Sequence, residues 1–356
     1  MNDSSLLSSD TGKTVLQYPI DPAPGMGEAV TVAPGVLWLR MPLPFSLDHI
    51  NLWAIADGEG WAIVDTGLSV PASVQIWNRF LREALQGRPV TRVLVTHMHP
   101  DHIGLAGWLT RKFNCRLWIT RSEYMSCRVL VGDTGREAPL DGTSFYHRAG
   151  WSEAELENYR ARFGAFGKTI YRLPDSYRRL VDGEVLSIGA HQWRVVVGSG
   201  HSPEHACLYC PQLKLFISGD QVLPRISSNV SVHAIEPDAD PLADWLQSLQ
   251  KLREHIPDEV LVLPAHNEAF RGLHARIAHL AASQERALTR LREALSQPQR
   301  AVDVFSALFA RRIDDSSLLG MATGESLANL NYLLQRGEIG VTQDAEGVAW
   351  YQRLGV

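Results

Sequence analysis

Residues 93–102 read Val93-Leu94-Val95-Thr96-His97-Met98-His99-Pro100-Asp101-His102. Three aliphatic residues in a row suit a strand buried on both faces. The run stops at Thr96, and three imidazoles and a carboxylate follow at once. Neutral imidazole and carboxylate are the donors preferred by zinc and similar divalent ions, so this turn reads as a metal-binding set. A helix is expected next, over about 104–112.

Working outward, β-rich runs at 35–41 and 50–56 lead to a third at 60–64, which passes into Asp65-Thr66-Gly67. Val74, Trp77, Phe80, Leu81 and Leu85 recur at helical spacing and predict an amphipathic helix over 71–86. A short strand is expected at 116–120. The stretch 121–176 is helical in pattern and rich in Arg, Tyr, Phe and Trp. Strands at 184–188 and 193–197 then stop at Gly198-Ser199-Gly200-His201. Two more, at 206–210 and 213–218, end at Gly219-Asp220. After a helix over 241–255, a strand at 260–263 delivers Pro264-Ala265-His266. His201, Asp220 and His266 thus repeat the placement of His97, directly after a strand, where loops of layered α/β proteins collect functional groups. With the first cluster they supply enough ligands for two metals.

In this order (Asp-Thr-Gly, His-x-His-x-Asp-His, Gly-His, Gly-Asp, final His) the segment 65–266 resembles the metallo-β-lactamase superfamily. The resemblance implies an α/β fold, an αββα sandwich with the metals at one edge between two mixed sheets. It implies that His97, His99 and His201 hold one metal, that Asp101, His102 and His266 hold the other, and that Asp220 bridges them. Asp65 is implied to buttress the metal loop without ligating; His205, close after His201 in the sequence, is a candidate neighbour of the ligands. Glu204 occupies a position where many relatives carry Gly. The C-terminal region is similar to the small winged-helix-like cap of the glyoxalase II and lactamase-like branch, with Leu327, Leu330, Leu333 and Leu334 on one helical face and a short β-ribbon after Gly337.

Two divalent ions, zinc first with iron or manganese as alternatives, would share a hydroxide made available because metal binding lowers the pKa of water to about 7. The implied activity is hydrolysis of a small ester, thioester, lactone or related acyl substrate. Asp220 and Asp101 are its candidate catalytic carboxylates, the latter as a proton shuttle. A mononuclear-iron sulfur dioxygenase on the same scaffold is the alternative, followed by a nuclease or phosphodiesterase. An intact His99 argues against a flavodiiron protein, whose motif carries Glu there. The helical insert at 121–176 is the natural place for a lid over the pocket. Tyr146 and Arg160 within it, and Arg225, Asn229 and His233 after Asp220, are candidate substrate contacts.

Composition bounds the rest. A chain of 356 residues, 45% hydrophobic, accommodates one large α/β domain with a smaller appendage. The expected organisation is an extended arm over 1–26, a metallo-β-lactamase-like domain over 27–268 and a helical, winged-helix-like region over 269–356. A net charge of -5 offers no basic field for nucleic acid or an anionic membrane. Four cysteines make no disulfide framework and fit a reducing compartment, the cytoplasm. Cys207 and Cys210 fall within a predicted strand and are expected to pack there. The expected partner is a small molecule, with a homodimer allowed.

Overall fold

A computed structural model describes residues 16–313 and 316–355. Of the arm expected over 1–26, residues 1–15 therefore lie outside the described residues. The part described is tied to the body: Gln17 pairs with Arg271 through two backbone hydrogen bonds of 2.8 and 3.3 Å.

Two mixed sheets form the centre. The first has seven strands in sequential order: β1 (Ala29–Ala33), β2 (Val36–Pro42), β3 (His49–Asp57), β4 (Gly60–Val64), β5 (Val90–Leu94), β6 (Arg116–Ile119) and β7 (Arg178–Arg179). Its first four strands pair antiparallel and the rest parallel. The second holds β8 (Val185–Ile188), β9 (His191–Gly198), β10 (His205–Cys210), β11 (Leu215–Gly219) and β12 (Leu261–Pro264), with only β11 and β12 parallel. Alternation along β3 shows why both faces of a strand are apolar. Trp53 and Ile55 enter the core between the sheets, whereas Ile50, Leu52 and Ala54 face the helices outside.

Helices cover both outer faces. Against the first sheet lie α1 (Pro71–Arg82), α2 (Pro100–Ile103), α3 (Ala106–Phe113) and α4 (Arg121–Gly132). The insert continues with α5 (Leu140–Arg148), α6 (Glu153–Arg162) and a 3-10 turn at Phe166–Thr169. Outside the second sheet pack α7 (Pro241–His255), α8 (Leu273–Ala294), α9 (Phe305–Leu308) and α10 (Ser316–Gln335), followed by the ribbon β13 (Ile339–Gln343) and β14 (Ala349–Arg353). The architecture is αββα with a helical C-terminal region. Leu327, Leu330 and Leu333 bury their shared face of α10 in the outer core. Cys207 and Cys210 are buried free thiols in β10. No helix among the described residues is long and apolar enough to cross a membrane.

Three elements differ from expectation. The helix predicted to reach Gln86 ends at Arg82, because Gln86 takes a left-handed φ of 57° that a right-handed helix excludes. β1 and β7 were not anticipated; β7 is two consecutive arginines, with no apolar period to mark it.

Candidate metal centre

Every candidate ligand sits where a strand has ended. His97, His99, Asp101 and His102 occupy the loop after β5 and the start of α2, His201 follows β9, Asp220 follows β11, and His266 follows β12. Four of these residues come from the first sheet and three from the second, so the centre forms only where the sheets meet. That junction is stitched by backbone. The Ala206 N–H donates to the Thr96 carbonyl at 2.8 Å, and the Asn51 N–H to that of Ala265 at 2.6 Å.

The side chains converge in two groups, His97, His99, His201 and Asp220, and Asp101, His102 and His266, with the potential ligand atoms of each group within 4.8 Å of one another. In the first, His97 Nε2 stands 2.9 Å from His99 Nδ1 and 3.2 Å from His201 Nε2. In the second, Asp101 Oδ2 lies 3.7 Å from His102 Nε2 and 3.5 Å from His266 Nε2. Asp220 spans them. Its Oδ2 is 3.4 Å from His201 and 3.6 Å from His102, while its Oδ1 is 3.4 Å from His266.

Outer contacts aim these rings. Asp65 Oδ2 accepts from His102 Nδ1 at 2.8 Å, and its Oδ1 accepts the Thr96 N–H at 2.8 Å. The Asn229 carbonyl accepts from His201 Nδ1 at 2.7 Å, and the His49 carbonyl from His266 Nδ1 at 2.8 Å. In each of these three rings one nitrogen is thereby committed outward and Nε2 is left for the centre. His205 is fully buried, stacks on His97 with centroids 4.8 Å apart, and accepts the Asp220 N–H through Nε2 at 3.1 Å. Gly219 makes this approach possible: a Cβ there would fall 2.5 Å from the His205 ring.

Burial, then the surrounding rings of His102, His99, His205 and His201, holds the His97 imidazole well below its usual range. Burial and His201 do the same to His99, and burial lowers His205 to about 3. For His102, burial opposes charge, but the carboxylates of Asp101, Asp220 and Asp65 override it and raise its pKa well above the usual value. His266 is raised by Asp220 and Asp101 against the same burial. Burial likewise opposes ionisation of Asp220, yet His266 and His102 hold it well below the carboxylate range. His97 and His99 are therefore held toward the neutral, ligating form. The second group carries protons that an incoming dication would displace.

The donor set fits divalent metal. Four donors at about 2.0–2.1 Å from a tetrahedral ion stand roughly 3.3 Å apart, and the contacts among His97, His99, His201 and Asp220, at 2.9, 3.2, 3.4 and 4.0 Å, bracket that value. His102 Nε2 and Asp220 Oδ1 are buried without any hydrogen-bond partner. Leaving a buried polar atom unpaired typically costs about 1–3 kcal/mol, and more for a charge. A cation between them removes that cost.

Other candidates are dispersed. Asn229 is at the centre through its carbonyl, while its amide donates to Glu325 at 2.8 Å and its Oδ1 accepts from Ser231 at 2.6 Å. His233, on the same loop, keeps an exposed face yet stands near enough to His99 and His201 to act on both rings, and burial and His201 lower its imidazole. Arg225 is held by Glu268 at 2.7 Å and lies over the Tyr18 ring. Tyr146 stacks on Trp151 at 4.2 Å and lines a cavity within the insert. Arg160 binds Glu153 and Glu157 at 2.6 and 3.1 Å and does not line that cavity.

Glu123, Glu325 and His49 escaped sequence reasoning, and Glu123 shows why. Glu123, fully buried, accepts the Met98 N–H at 2.9 Å and the Glu204 N–H at 2.8 Å, tying the two metal loops together. An acidic residue in the first turn of a helix is commonplace, so nothing in the sequence set it apart. Glu204 itself accepts the Ser122 N–H at 2.6 Å, giving the start of α4 a carboxylate.

Comparison with known proteins agrees with this geometry. Residues 46–266 match the family model described as metallo-beta-lactamase superfamily, and residues 288–354 match one described as metallo-beta-lactamase-like, C-terminal domain. A solved beta-lactamase domain protein from Burkholderia ambifaria is 43% identical, with a TM-score of 0.87, covering 95% of this chain and 98% of that one. The probable metallo-hydrolase YqjP of Bacillus subtilis is 23% identical over 89% of this chain and 97% of its own length. The acyl-coenzyme A thioesterase MBLAC2 of Bos taurus is 27% identical over 66% of this chain and 79% of its own. Across the first relatives the match spans from 65% to 97% of their length.

Proposed function

Because the chain belongs to the metallo-β-lactamase superfamily and is a metal-dependent hydrolase, we propose that it hydrolyses a small acyl substrate, a thioester foremost, with two divalent ions, zinc first. The observation that carries the reading is the pair of unpartnered buried atoms, His102 Nε2 and Asp220 Oδ1, amid seven converging side chains. His97, His99 and His201 would hold one ion, and Asp101, His102 and His266 the other. Asp220, with an oxygen toward each group, would serve both.

When bound, such ions supply an activated water at neutral pH and a Lewis acid for the carbonyl oxygen. The chain's own residues do the rest. Asp65, Asn229 and His49 fix the ring orientations, so little reorganisation is needed during turnover. The reaction forms a carbonyl C–O bond from water and breaks the C–S bond, and the departing thiolate takes up a proton. Asp101, whose side chain is 20% exposed and faces His102 and His266, is placed to pass that proton. The thioesterase name of one relative supports the choice of thioester. Four free cysteines favour a reducing compartment, the cytoplasm.

Elemental analysis of gently purified protein, with a panel of thioesters, lactones and phosphoesters, tests the proposal. Two divalent ions per chain and fastest turnover on a thioester are expected. One tightly bound iron with oxygen uptake on a persulfide would replace the hydrolase reading with a dioxygenase.

A further inference from the structure

The segment 221–240, which follows Asp220 and leads to α7, contains no helix or strand. An irregular run of this length leaves backbone polar groups that need partners from outside it. The C-terminal region supplies them. The buried Arg276 guanidinium of α8 donates to the carbonyls of Leu223 and Ile226 at 2.6 and 2.8 Å. α10 holds the remainder. Its Gly324 carbonyl accepts the Val232 N–H at 3.0 Å, and the Asn331 amide donates to the carbonyls of Pro237 and Ala239, each at 2.9 Å.

One of the α10 contacts leads into the metal centre. Glu325, buried in α10, accepts from the Asn229 side-chain amide at 2.8 Å, and the Ser231 hydroxyl donates to Asn229 Oδ1 at 2.6 Å. Asn229 is thus clamped at both ends of its side chain, and its backbone carbonyl accepts from His201 Nδ1 at 2.7 Å. Gly324 lets the loop come this close, since a Cβ there would stand 2.9 Å from both Cβ and Oγ of Ser231. Glycine is disfavoured inside a helix, so this position answers to the loop and not to α10 itself. The path from Glu325 through Asn229 ends at His201, in the group with His97 and His99. The rings of the other group are aimed from elsewhere, His102 by Asp65 and His266 by the His49 carbonyl.

We propose that α10 belongs to the metal-binding machinery. Through Glu325 it fixes the Asn229 carbonyl that aims His201, and so it sets the metal affinity of the His97, His99 and His201 group without setting that of Asp101, His102 and His266. Glu325 is a positioning residue, two hydrogen bonds removed from the ligating nitrogen. The inference rests on the reading of His201 as a ligand and not on the choice of substrate.

The test uses the zinc-loaded full chain, with each of two zinc dissociation steps read by competition with chelators of graded strength. Glu325→Met keeps the length of a buried side chain and removes only the acceptor. It should weaken one step by about tenfold, the lower end of what outer partners of ligating imidazoles contribute, and leave the other step as in the wild type. Glu325→Gln restores an acceptor carbonyl and should restore that step. The loss caused by Glu325→Met should vanish in a His201→Ala background, where no ring is left to aim. It should persist in an Asp65→Asn background, where the disturbed ring is His102. Gly324→Ala strengthens the helix while its Cβ presses on Ser231, so it should weaken the same step, and it decides the matter should Glu325→Met not fold.

Two wild-type dissociation steps in Glu325→Met would overturn the positioning role and leave the two-metal hydrolase reading intact. Equal losses at both steps, or equal losses in the His201→Ala and Asp65→Asn backgrounds, would mark a general loosening and overturn it as well. A loss confined to one step, in a protein that hydrolyses no acyl substrate, would keep the positioning role and overturn the acyl-hydrolase reading. A wild-type chain that binds no divalent ion would overturn both.

Discussion

Asp65 holds His102 from the end of the neighbouring strand, its Oδ2 accepting the His102 Nδ1–H at 2.8 Å and its Oδ1 the Thr96 N–H at 2.8 Å. The contact fixes Nδ1 as the donor to Asp65 and turns His102 Nε2 toward the candidate centre. Asp65 does this from a left-handed φ of 62°, a conformation that asparagine also tolerates. Asp65→Asn should therefore keep the fold while metal affinity or turnover falls by about 10–100-fold, the usual cost of losing such a partner. Metal titration with circular dichroism checks this, and wild-type affinity would remove Asp65 from any orienting role.

Asp220→Asn tests the carboxylate between the two groups. Asparagine keeps the volume but loses the negative charge that offsets two dications, and it offers a single carbonyl oxygen. Because Asp220 contacts both groups, losses of at least about 10–100-fold are expected in metal affinity and turnover. Metal stoichiometry and hydrolysis are the readouts. Were Asp220 only a turn former after Gly219, asparagine would fill that turn equally well and neither would change.

Glu325 carries a pH signature in stability. Burial raises its carboxyl from 4.5 to about 8, opposed only in part by the hydrogen bond from Asn229. The folded state thus holds its proton more tightly than the unfolded chain. The resulting stabilisation is complete below about 4.5 and lost as pH rises through about 8. The loss should be on the order of a few kcal/mol. Glu325→Gln retains an acceptor for Asn229 without the titration. It should flatten the difference in urea stability between pH 6 and pH 9, and a slope equal to the wild type's would refute the assignment.

Tyr146 and Arg160, both taken from the sequence as candidate substrate contacts, should part company. Tyr146 lines the insert cavity, whereas Arg160 is spent on Glu153 and Glu157 at an exposed face. Tyr146→Ala should reorder preference among acyl substrates while metal content stays constant. Arg160→Ala should leave that order unchanged and barely alter stability, because exposed ion pairs are screened by solvent. Kinetics on an acyl series with metal analysis for both variants decides the matter.

Much of the centre was legible because strand and turn chemistry is local. A run such as Val93-Leu94-Val95 announces a buried strand, and the His-x-His-x-Asp-His that follows can be read without knowing what lies opposite. Gly198-Ser199-Gly200-His201, Gly219-Asp220 and Pro264-Ala265-His266 are legible for the same reason: each puts a ligand type just past an apolar run. The sequence by itself therefore determined the candidate ligand types and their place at strand ends. That Asp220 stands between the two groups was implied only by the family resemblance, because strand patterns carry no distance between two packed sheets. Nor did the sequence single out Glu123 or Glu325, which look like ordinary helix carboxylates until the fold buries them and aims them at the loops. Arg160 shows the converse, since a residue type suited to substrate binding was turned outward by its helical phase into a local ion pair. Side-chain identity is written in the chain, but burial and aim arise from long-range packing, and only the tertiary structure decided which polar groups face the candidate centre and which face water.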